Sequence, residues 1–468
     1  MIIHVVKSGD TLWSIARQFN VDLSQLSYGN QLKNSNILVI GQSLVIPESH
    51  KEYIVQPGDT LNDISKKLNI GLQELIDSNQ LTNPSRLYVG QLIVLPYFVH
   101  SVKPGDTLYT ISYNYKVGLE DILKANNIQN PSLIYPDQKI RIPNDRKSIE
   151  VNAYITQTGD GAVGEVRGLG NYFTYLSPFT HAITKDGGIT ALNDEGLISA
   201  AYGTGTDPLL VVTNYSGAKF DSDLAATIFR SESLQATLIS NLLKTMERKG
   251  YKGVNFDFEY VYPEDRERYN QFLRKVTSTL RPKGYSVSTA LAPKIKEDQK
   301  GLLYEAHDYK AHGEIVDFVV IMTYEWGWAG GKPWAIAPIP EVRKVLDYAV
   351  TEIPRNKILM GVPLYGRDWK IPWQEGTFAK TVSPAAAVDL ASKYGVRIQY
   401  DNNDQAPFFK YWDESGQQHE VWFEDARSIL AKHQTLDQYR LRGISYWVLG
   451  SSFPQNWVMQ HARYTTVK

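Results

Sequence analysis

Cysteine is absent from this chain of 468 residues, which excludes disulfide bonds and thiolate metal sites. The nine histidines are scattered, and even the closest pair, His307 and His312, does not share one face of a helix or strand. We therefore expect neither a metal nor a cofactor. The net charge of −1 gives no electrostatic basis for binding nucleic acid or an anionic membrane. No apolar run is long enough to cross a bilayer.

The N-terminus also lacks the pattern of a secretory signal peptide. Residues 1–7 contain no basic start followed by an apolar core. Hydrophobic residues make up 43% and charged residues 21% of the chain, a composition typical of globular domains. The length is sufficient for about two to four domains, at least one with a large core. We expect a monomer.

A repeated motif divides the chain. The segment that starts at Val6 recurs at Val55 and at Val102, and every copy contains G-D-T-L. Apolar residues at helical spacing follow each copy, and the threonine before them is a suitable helix cap. A second short helix and a short strand that ends in proline complete each unit. The pattern predicts three strand–helix–helix–strand (βααβ) units, at residues 1–48, 51–97 and 98–145.

These units resemble LysM modules, which bind the N-acetylglucosamine glycans of peptidoglycan and chitin. In that family the sugar groove lies between the loop that enters the first helix and the loop that leaves the second. The resemblance implies glycan contacts from the G-D-T residues of each unit: Gly9, Asp10, Thr11, Gly58, Asp59, Thr60, Gly105, Asp106 and Thr107. Ile40 and Gly41 would form the second wall in the first unit. The third unit has Asp137 in place of Gly41 and Gly90, so its groove departs most from the pattern. The alternative is that G-D-T is only a turn and a helix cap.

From about residue 149 onward, the pattern alternates between strands and helices. The candidate strands are Val151–Ile155, Phe179–Ile183, Leu209–Thr213, Gly253–Glu259, Ser286–Leu291, Phe318–Tyr324, Ile358–Leu364 and Gly443–Val448. Helical stretches such as residues 221–249 separate them. This alternation predicts an α/β fold, a (β/α)8 TIM barrel at residues 149–468 with its own core and with its chemistry at the carboxyl ends of the strands. The long interval between the last two strands predicts a small α+β insertion at about residues 367–440, which would wall one side of the cleft.

The fourth candidate strand has one apolar and one polar face. These faces are Val254, Phe256 and Phe258 against Asn255, Asp257 and Glu259. An unpaired buried polar group costs about 1–3 kcal/mol, so the polar face must have a use if the strand is buried. Two carboxyl groups at i and i+2 repel each other, which raises one pKa as a general acid at neutral pH requires. The alternative, an edge strand with a solvated polar face, would leave the two phenylalanines without cover.

Residues 252–259 resemble the D-G-x-D-x-D-x-E signature of glycoside hydrolase family 18, the chitinase-like enzymes. The resemblance implies that Glu259 is the proton donor and that Asp257 orients the N-acetyl group of the substrate. Lys252 and Asn255 replace the first two acids of the signature. Asn255 could still hydrogen-bond Asp257 but cannot share a titrating proton with it, so the pH dependence is expected to differ from that of the family.

Further strand ends follow the same family. Tyr324 and Glu325 match its M-x-Y-D motif, which implies a hydrogen bond from Tyr324 to the N-acetyl carbonyl and a sugar contact for Glu325. Trp447 resembles the tryptophan that stacks on the reacting sugar, and Tyr365 and Arg367 are placed near the cleft. The alternatives are a rim position for Tyr324 and core packing for Trp447.

The loop at residues 325–334 contains three tryptophans among glycines. Sugar faces stack well on such rings, so Trp326 is a candidate substrate contact. Packing of the loop on itself is the alternative.

Asp257 and Glu259 are neighbours on one strand, so no carboxylate is placed across the sugar as a nucleophile. The resemblance implies that the acetamide group of the substrate attacks instead. The first interpretation is a retaining peptidoglycan N-acetylglucosaminidase that cleaves β-1,4 bonds. With N-F-D-F-E, three LysM units and no leader, it resembles the spore cortex-lytic enzymes, which are made in the mother-cell cytoplasm and deposited in the outer layers of the spore. The other interpretations are a LysM-bearing chitinase and a non-catalytic lectin of the same fold, and the intact Glu259 argues against the lectin.

Overall fold

The computed structural model describes residues 1–32, 37–217 and 219–468. It confirms three N-terminal βααβ units followed by a closed parallel barrel with an inserted subdomain. In each unit two strands pair antiparallel and two helices connect them. The first unit contains β1 (Ile2–Val5), α1 (Leu12–Phe19), α2 (Leu23–Gly29) and β2 (Ser43–Ile46), the second β3 (Glu52–Ile54), α3 (Leu61–Leu68), α4 (Leu72–Asn79) and β4 (Leu92–Val94), and the third β5 (Tyr97–Ser101), α5 (Leu108–Tyr115), α6 (Leu119–Asn126) and β6 (Lys139–Pro143).

Local hydrogen bonds explain why the units repeat. The threonine of each G-D-T turn caps the following helix, as in Thr107, whose hydroxyl accepts from the Thr110 N–H at 3.1 Å. An asparagine at the end of the second helix then ties that helix to the last strand. The Asn79 amide donates to the Val94 carbonyl at 2.8 Å and accepts from the Val94 N–H at 2.7 Å. Asn126 makes the same pair of bonds to Arg141.

The barrel is a closed ring of eight parallel strands. In chain order they are β7 (Lys147–Ile155), β8 (Tyr175–Pro178), β10 (Asp207–Thr213), β11 (Gly253–Asp257), β12 (Ser286–Leu291), β13 (Phe318–Ile321), β14 (Ile358–Pro363) and β20 (Gly443–Trp447). The barrel helices are α7 (Asp160–Leu169), α8 (Glu195–Tyr202), α9 (Ser222–Phe229), α10 (Glu232–Lys249), α11 (Arg266–Leu280), α12 (Tyr309–Ile315), α13 (Ile339–Glu352), α15 (Ala426–Tyr439) and α16 (Pro454–Arg463). The terminal β21 (Tyr464–Thr466) pairs with β7.

Two predicted boundaries in the barrel are wrong. The second barrel strand is β8, and the predicted strand at 179–183 contains only β9 (His181–Ala182), which pairs with the end of β10. Strand β8 ends at Pro178, whose nitrogen carries no hydrogen to donate to a further strand bond, whereas the predicted strand began at Phe179. The predicted helix at 221–249 is two helices, because Ser231 caps a new one.

The two faces of β11 point in the predicted directions. Phe256 and Phe258 face the surrounding helices, where the Phe256 ring lies 5.5 Å from that of Phe272 and the Phe258 ring lies 5.6 Å from that of Phe229. Asn255 and Asp257 consequently face the inside of the barrel. Both are at most 5% exposed, so β11 is not a solvated edge strand.

The insertion is a five-stranded antiparallel sheet with one helix. Its elements are β15 (Gly366–Ile371), β16 (Lys380–Val382), α14 (Pro384–Lys393), β17 (Gln399–Asp401), β18 (Ala406–Trp412) and β19 (Gln418–Trp422). It has a small core of its own around Phe409 and Val421.

The first two N-terminal units share the barrel core, contrary to the expectation that the barrel has a separate one. Val45, Ile54, Leu92 and Val94 belong to the same buried apolar cluster as the barrel residues. Helix α16 packs against β2, β4 and α2. None of the described helices is both long and apolar enough to cross a membrane.

Candidate active site

A cavity of about 430 Å³ opens at the carboxyl ends of the barrel strands. Six of the residues singled out from the sequence line it: Asp257, Glu259, Tyr324, Glu325, Trp326 and Trp447. Three others lie outside its lining: Asn255, Tyr365 and Arg367. The site is therefore assembled from the ends of β11, β13 and β20.

The carboxyl groups of Asp257 and Glu259 are both withdrawn from water. Burial raises the pKa of Asp257 to about 7. Burial also raises the pKa of Glu259 well above its ordinary value, and the charges of Asp257 and Glu325 add to this effect. The raised pKa favours the protonated form of Glu259, the form that a general acid requires.

Asn255 does not hydrogen-bond Asp257, contrary to the sequence-based expectation. Its amide oxygen accepts from the Tyr154 hydroxyl at 2.8 Å, and its amide nitrogen donates to the Ser288 hydroxyl at 2.9 Å. Asp257 Oδ1 is buried and has no hydrogen-bond partner within the described part of the chain. This oxygen is therefore available to a hydrogen-bond donor on a substrate.

Two residues that were not recognised in the sequence hold the backbone around Glu259. Asn214, directly after β10, accepts from the Glu259 N–H at 3.1 Å and donates to the Glu259 carbonyl at 2.8 Å. His307 accepts the Ala292 N–H on Nδ1 at 2.8 Å, so its Nε2 carries the proton and donates to the Phe258 carbonyl at 2.9 Å. Burial lowers the pKa of His307 to about 4, which keeps the ring neutral. Asn214 could have been recognised in the sequence as a polar residue directly after a barrel strand, where active-site residues lie.

Glu325, Tyr365 and Arg367 form one cluster beside the cavity. The Tyr365 hydroxyl donates to Glu325 Oε1, and Arg367 Nη2 lies 2.8 Å from the same oxygen. Tyr324 stands next to this cluster. Burial raises the pKa of Tyr324, so its hydroxyl remains a hydrogen-bond donor.

Aromatic rings form much of the cavity wall. Trp447 packs edge-on against Phe179 at 5.0 Å and lies 5.3 Å from the Tyr154 ring. Of the three loop tryptophans, only Trp326 lines the cavity. Trp328 packs on Phe378, and Trp334 donates to Asp404 at 2.6 Å, so these two attach the loop to the insertion.

Loops supply further wall residues that no sequence pattern indicated: Tyr215, Phe220, Leu303 and Tyr304. Among the described residues, no cluster of three or more histidine and carboxylate side chains could hold a metal ion.

The aspartate side chains of the G-D-T turns form hydrogen bonds within their own units. The Asp106 carboxylate accepts from the Lys103 N–H and contacts His100 Nε2, both at 2.8 Å. Asp10 is bound in the same way by His4, and Asp59 accepts from the Tyr53 hydroxyl. The glycines of the three turns have φ values of 85–91° and face open space. A glycan at these turns would meet backbone groups rather than the aspartate side chains.

Comparisons with known proteins agree with this architecture. Residues 213–451 match the model of "Glycosyl hydrolases family 18", and residues 4–47, 53–96 and 100–143 match the LysM domain. The chain is 44% identical to the cortical fragment-lytic enzyme of Bacillus subtilis (strain 168), over 100% of this chain and 99% of the relative.

Solved structures give the same result. The spore cortex-lytic enzyme SleL of Bacillus megaterium QM B1551 is 38% identical, with a TM-score of 0.79 over 100% of this chain and 98% of that one. A chitinase of Chromobacterium violaceum is 27% identical, with a TM-score of 0.61 over 67% of this chain and 98% of that one. The chain therefore belongs to glycosyl hydrolase family 18 and carries three LysM domains, an architecture that indicates binding of N-acetylglucosamine-containing glycans.

Proposed function

We propose that this enzyme hydrolyses the peptidoglycan of the bacterial spore cortex, at β-1,4 bonds that follow N-acetylglucosamine, with retention of configuration. The observation that carries the proposal is the pair of carboxyl groups at the end of β11, the buried Asp257 and the partly buried Glu259 two residues later, whose pKa values are both raised. The only other described carboxylate that lines the cavity, Glu325, is already engaged by Tyr365 and Arg367. No described carboxylate is thus free to attack from the opposite face of the sugar.

The substrate's own 2-acetamido group supplies the missing nucleophile. Its carbonyl oxygen attacks the anomeric carbon while Glu259 donates its proton to the departing glycosidic oxygen. The C–O bond to the leaving sugar breaks, and a cyclic oxazolinium ion forms. The unpartnered Asp257 Oδ1 accepts the acetamide N–H, which stabilises the positive charge, and Tyr324 donates a hydrogen bond to the acetamide oxygen.

The second step restores the enzyme. The ionised Glu259 takes a proton from water, whose oxygen attacks the anomeric carbon from the face that the leaving group vacated. The oxazolinium ring opens, and the product has the β configuration. Asn214 and His307 hold the Glu259 backbone in register for both steps.

The choice of spore cortex as substrate is supported by the relatives. The Bacillus subtilis protein, named a cortical fragment-lytic enzyme, aligns over the whole chain, and so does the Bacillus megaterium spore cortex-lytic enzyme. The chitinase likeness covers 67% of this chain. We place the enzyme in the spore coat and cortex, made in the mother-cell cytoplasm, and LysM domains would retain it on the glycan.

Mass spectrometry of reaction products tests the proposal. Purified enzyme is incubated separately with soluble cortex fragments, vegetative peptidoglycan and N-acetylglucosamine hexamers, and the Glu259→Gln variant serves as the matched control. We expect fragments that end in reducing N-acetylglucosamine, formed fastest from cortex. Fragments that end in reducing muramic acid would contradict the bond assignment. Faster turnover of the hexamer would favour a chitinase.

A further inference from the structure

The three LysM domains differ in whether the loop between the second helix and the last strand is free. This loop contains an equivalent position in each domain: Val39, Tyr88 and Tyr135. The equivalence is structural, because each of the three backbone N–H groups donates to the side chain of a glutamine three residues later, at 2.9–3.1 Å. The residues that close each loop, 39–42, 88–91 and 135–138, are therefore equivalent and can be compared position by position.

In the first domain residues 39–41 are covered by the insertion and by helix α15. Val39 is buried in the insertion core, and the Ile398 N–H donates to the Ile40 carbonyl at 2.9 Å. Arg427 donates to the Gly41 carbonyl at 3.1 Å. A Cβ atom on Gly41 would lie 1.8 Å from the Ile398 carbonyl oxygen, so no space remains beside it.

In the second domain the loop is attached to the barrel and to the first domain. The Tyr88 hydroxyl donates to the Arg167 carbonyl at 2.8 Å, at the end of helix α7. A Cβ atom on Gly90 would lie 2.9 Å from the Tyr28 carbonyl oxygen of the first domain. Both loops are consequently used to dock their domains.

The third domain has the equivalent loop, but this loop is exposed and does not attach the domain to the barrel. Leu133 is 55% exposed and Tyr135 is 64% exposed. Among the described residues, no hydrogen bond or ion pair joins residues 98–143 to the barrel. Its contacts with the second domain include the ion pair of 3.8 Å between Arg141 and Glu74 and the Lys51 ammonium group 5.4 Å from the Phe98 ring.

Leu133 is matched by the equally exposed Ile37 of the first domain, at 54%, so the difference lies at Tyr135. Val39 fills this position inside the insertion core and Tyr88 uses it to bond Arg167, whereas Tyr135 is open to water. An exposed ring at a position that the other two domains use for docking marks an interaction site.

We infer that the third LysM domain is the principal glycan-binding domain, and that the first two hold it at a fixed position relative to the catalytic cleft. The occupant is a chain of N-acetylglucosamine-containing sugar. This follows because LysM domains bind such glycans, and because the open loop offers a tyrosine ring, on which a sugar face can stack, beside a leucine. Asp137, the residue at which this domain departs from Gly41 and Gly90, is exposed and keeps their positive φ, at 64°.

Cosedimentation with insoluble peptidoglycan and with chitin tests the inference. The full chain carries Glu259→Gln so that the matrix is not digested, and Leu133→Ser with Tyr135→Ser is added. The matched control is Trp13→Ala, an aromatic residue of the first domain that is 62% exposed. We expect the double substitution to weaken retention about tenfold, since truncation of central aromatic contacts carries much of the binding energy in interfaces. Trp13→Ala should change it less than about twofold, as for ordinary surface substitutions.

Equal losses in both variants, or retention unchanged by the double substitution, would overturn the inference. Thermal unfolding verifies that both variants are folded. The inference rests on glycan binding and not on the bond that is cleaved. The same substitutions are therefore also made in the enzyme that keeps Glu259, and hydrolysis of soluble fragments is measured. Unchanged hydrolysis with unchanged retention would overturn the glycan-binding inference alone, whereas the products formed test the proposed function.

Discussion

The Tyr154 hydroxyl donates a hydrogen bond of 2.8 Å to the amide oxygen of Asn255 inside the barrel. Asn255 lies two residues before Asp257, on the same face of β11. The Asn255 amide nitrogen is bound at the same time by Ser288. Because both ends of this amide are hydrogen-bonded to other side chains, Asn255 makes no hydrogen bond to Asp257. Burial is then the cause of the raised Asp257 pKa, and the acid–base behaviour of the site depends on Asp257 and Glu259 as a pair.

Glu259→Gln should abolish hydrolysis while glycan binding persists, because the amide keeps the shape of the side chain but cannot donate the proton. General acid catalysis contributes about 10²–10⁴ in rate, so we expect a loss in that range or greater. Initial rates on soluble fragments and binding to an oligomer provide the two measurements. Retention of more than about a hundredth of the wild-type rate would remove Glu259 from the proposed role.

Asp257→Asn should change stability in a pH-dependent manner. The folded-state pKa of about 7 lies above the ordinary value of 3.8, so the contribution of Asp257 to stability is present at low pH and is lost as pH rises through about 7. Each unit of pKa shift corresponds to about 1.4 kcal/mol. The variant should therefore gain melting temperature relative to wild type as pH rises from about 4 to about 7, the interval between the two pKa values, with no further gain above it. A melting-temperature difference that does not change with pH would contradict the raised pKa of Asp257. Activity of the variant should fall nearly as far as in Glu259→Gln.

Asn214→Ala should lower kcat with little change in KM, because it removes both hydrogen bonds that hold the Glu259 backbone. We expect a loss of about tenfold or more, since small misplacement of a catalytic group is costly. Ser216→Ala, in the same loop but exposed and bonded only weakly to Lys219, is the matched control. A shifted pH optimum would argue against positioning, because Asn214 does not titrate.

A thiazoline mimic of the cyclised acetamide should inhibit competitively, and the new reducing end should form in the β configuration. Both results follow from attack by the acetamide in the absence of a free opposed carboxylate. Nuclear magnetic resonance of the product at early times measures the configuration. Inverted product, or efficient cleavage of substrates without a 2-acetamido group, would require a second base elsewhere.

Deletion of residues 98–143 should leave the melting temperature and the hydrolysis of soluble fragments unchanged but reduce retention on insoluble wall. The flanking residues already meet, since the Asn144 N–H donates to the Pro96 carbonyl at 3.0 Å. Deletion of residues 1–144 should instead lower the melting temperature, because it removes Val45 and Val94 from the barrel core and uncovers helix α16. Equal melting temperatures for both deletions would contradict the shared core.

The repeats, the barrel and the catalytic strand could be predicted from the sequence because their signals are local. A threonine cap, a glycine with positive φ and an alternating strand such as 253–259 each act within a few residues of the chain. The roles assigned to Glu259 and Asp257 depend on that alternation, and the structure places both side chains in the cleft as expected.

Tertiary structure decided the features that depend on residues far apart in the chain. Asn255 bonds Tyr154 and Ser288 instead of its strand neighbour, and Asn214 reaches Glu259 across adjacent strands. The open or covered state of the LysM loops depends likewise on packing against the insertion and barrel, as between Ile40 and Ile398. The equivalent loops of the LysM domains thus differ in exposure, because burial and hydrogen bonding depend on which other part of the folded chain packs against each loop.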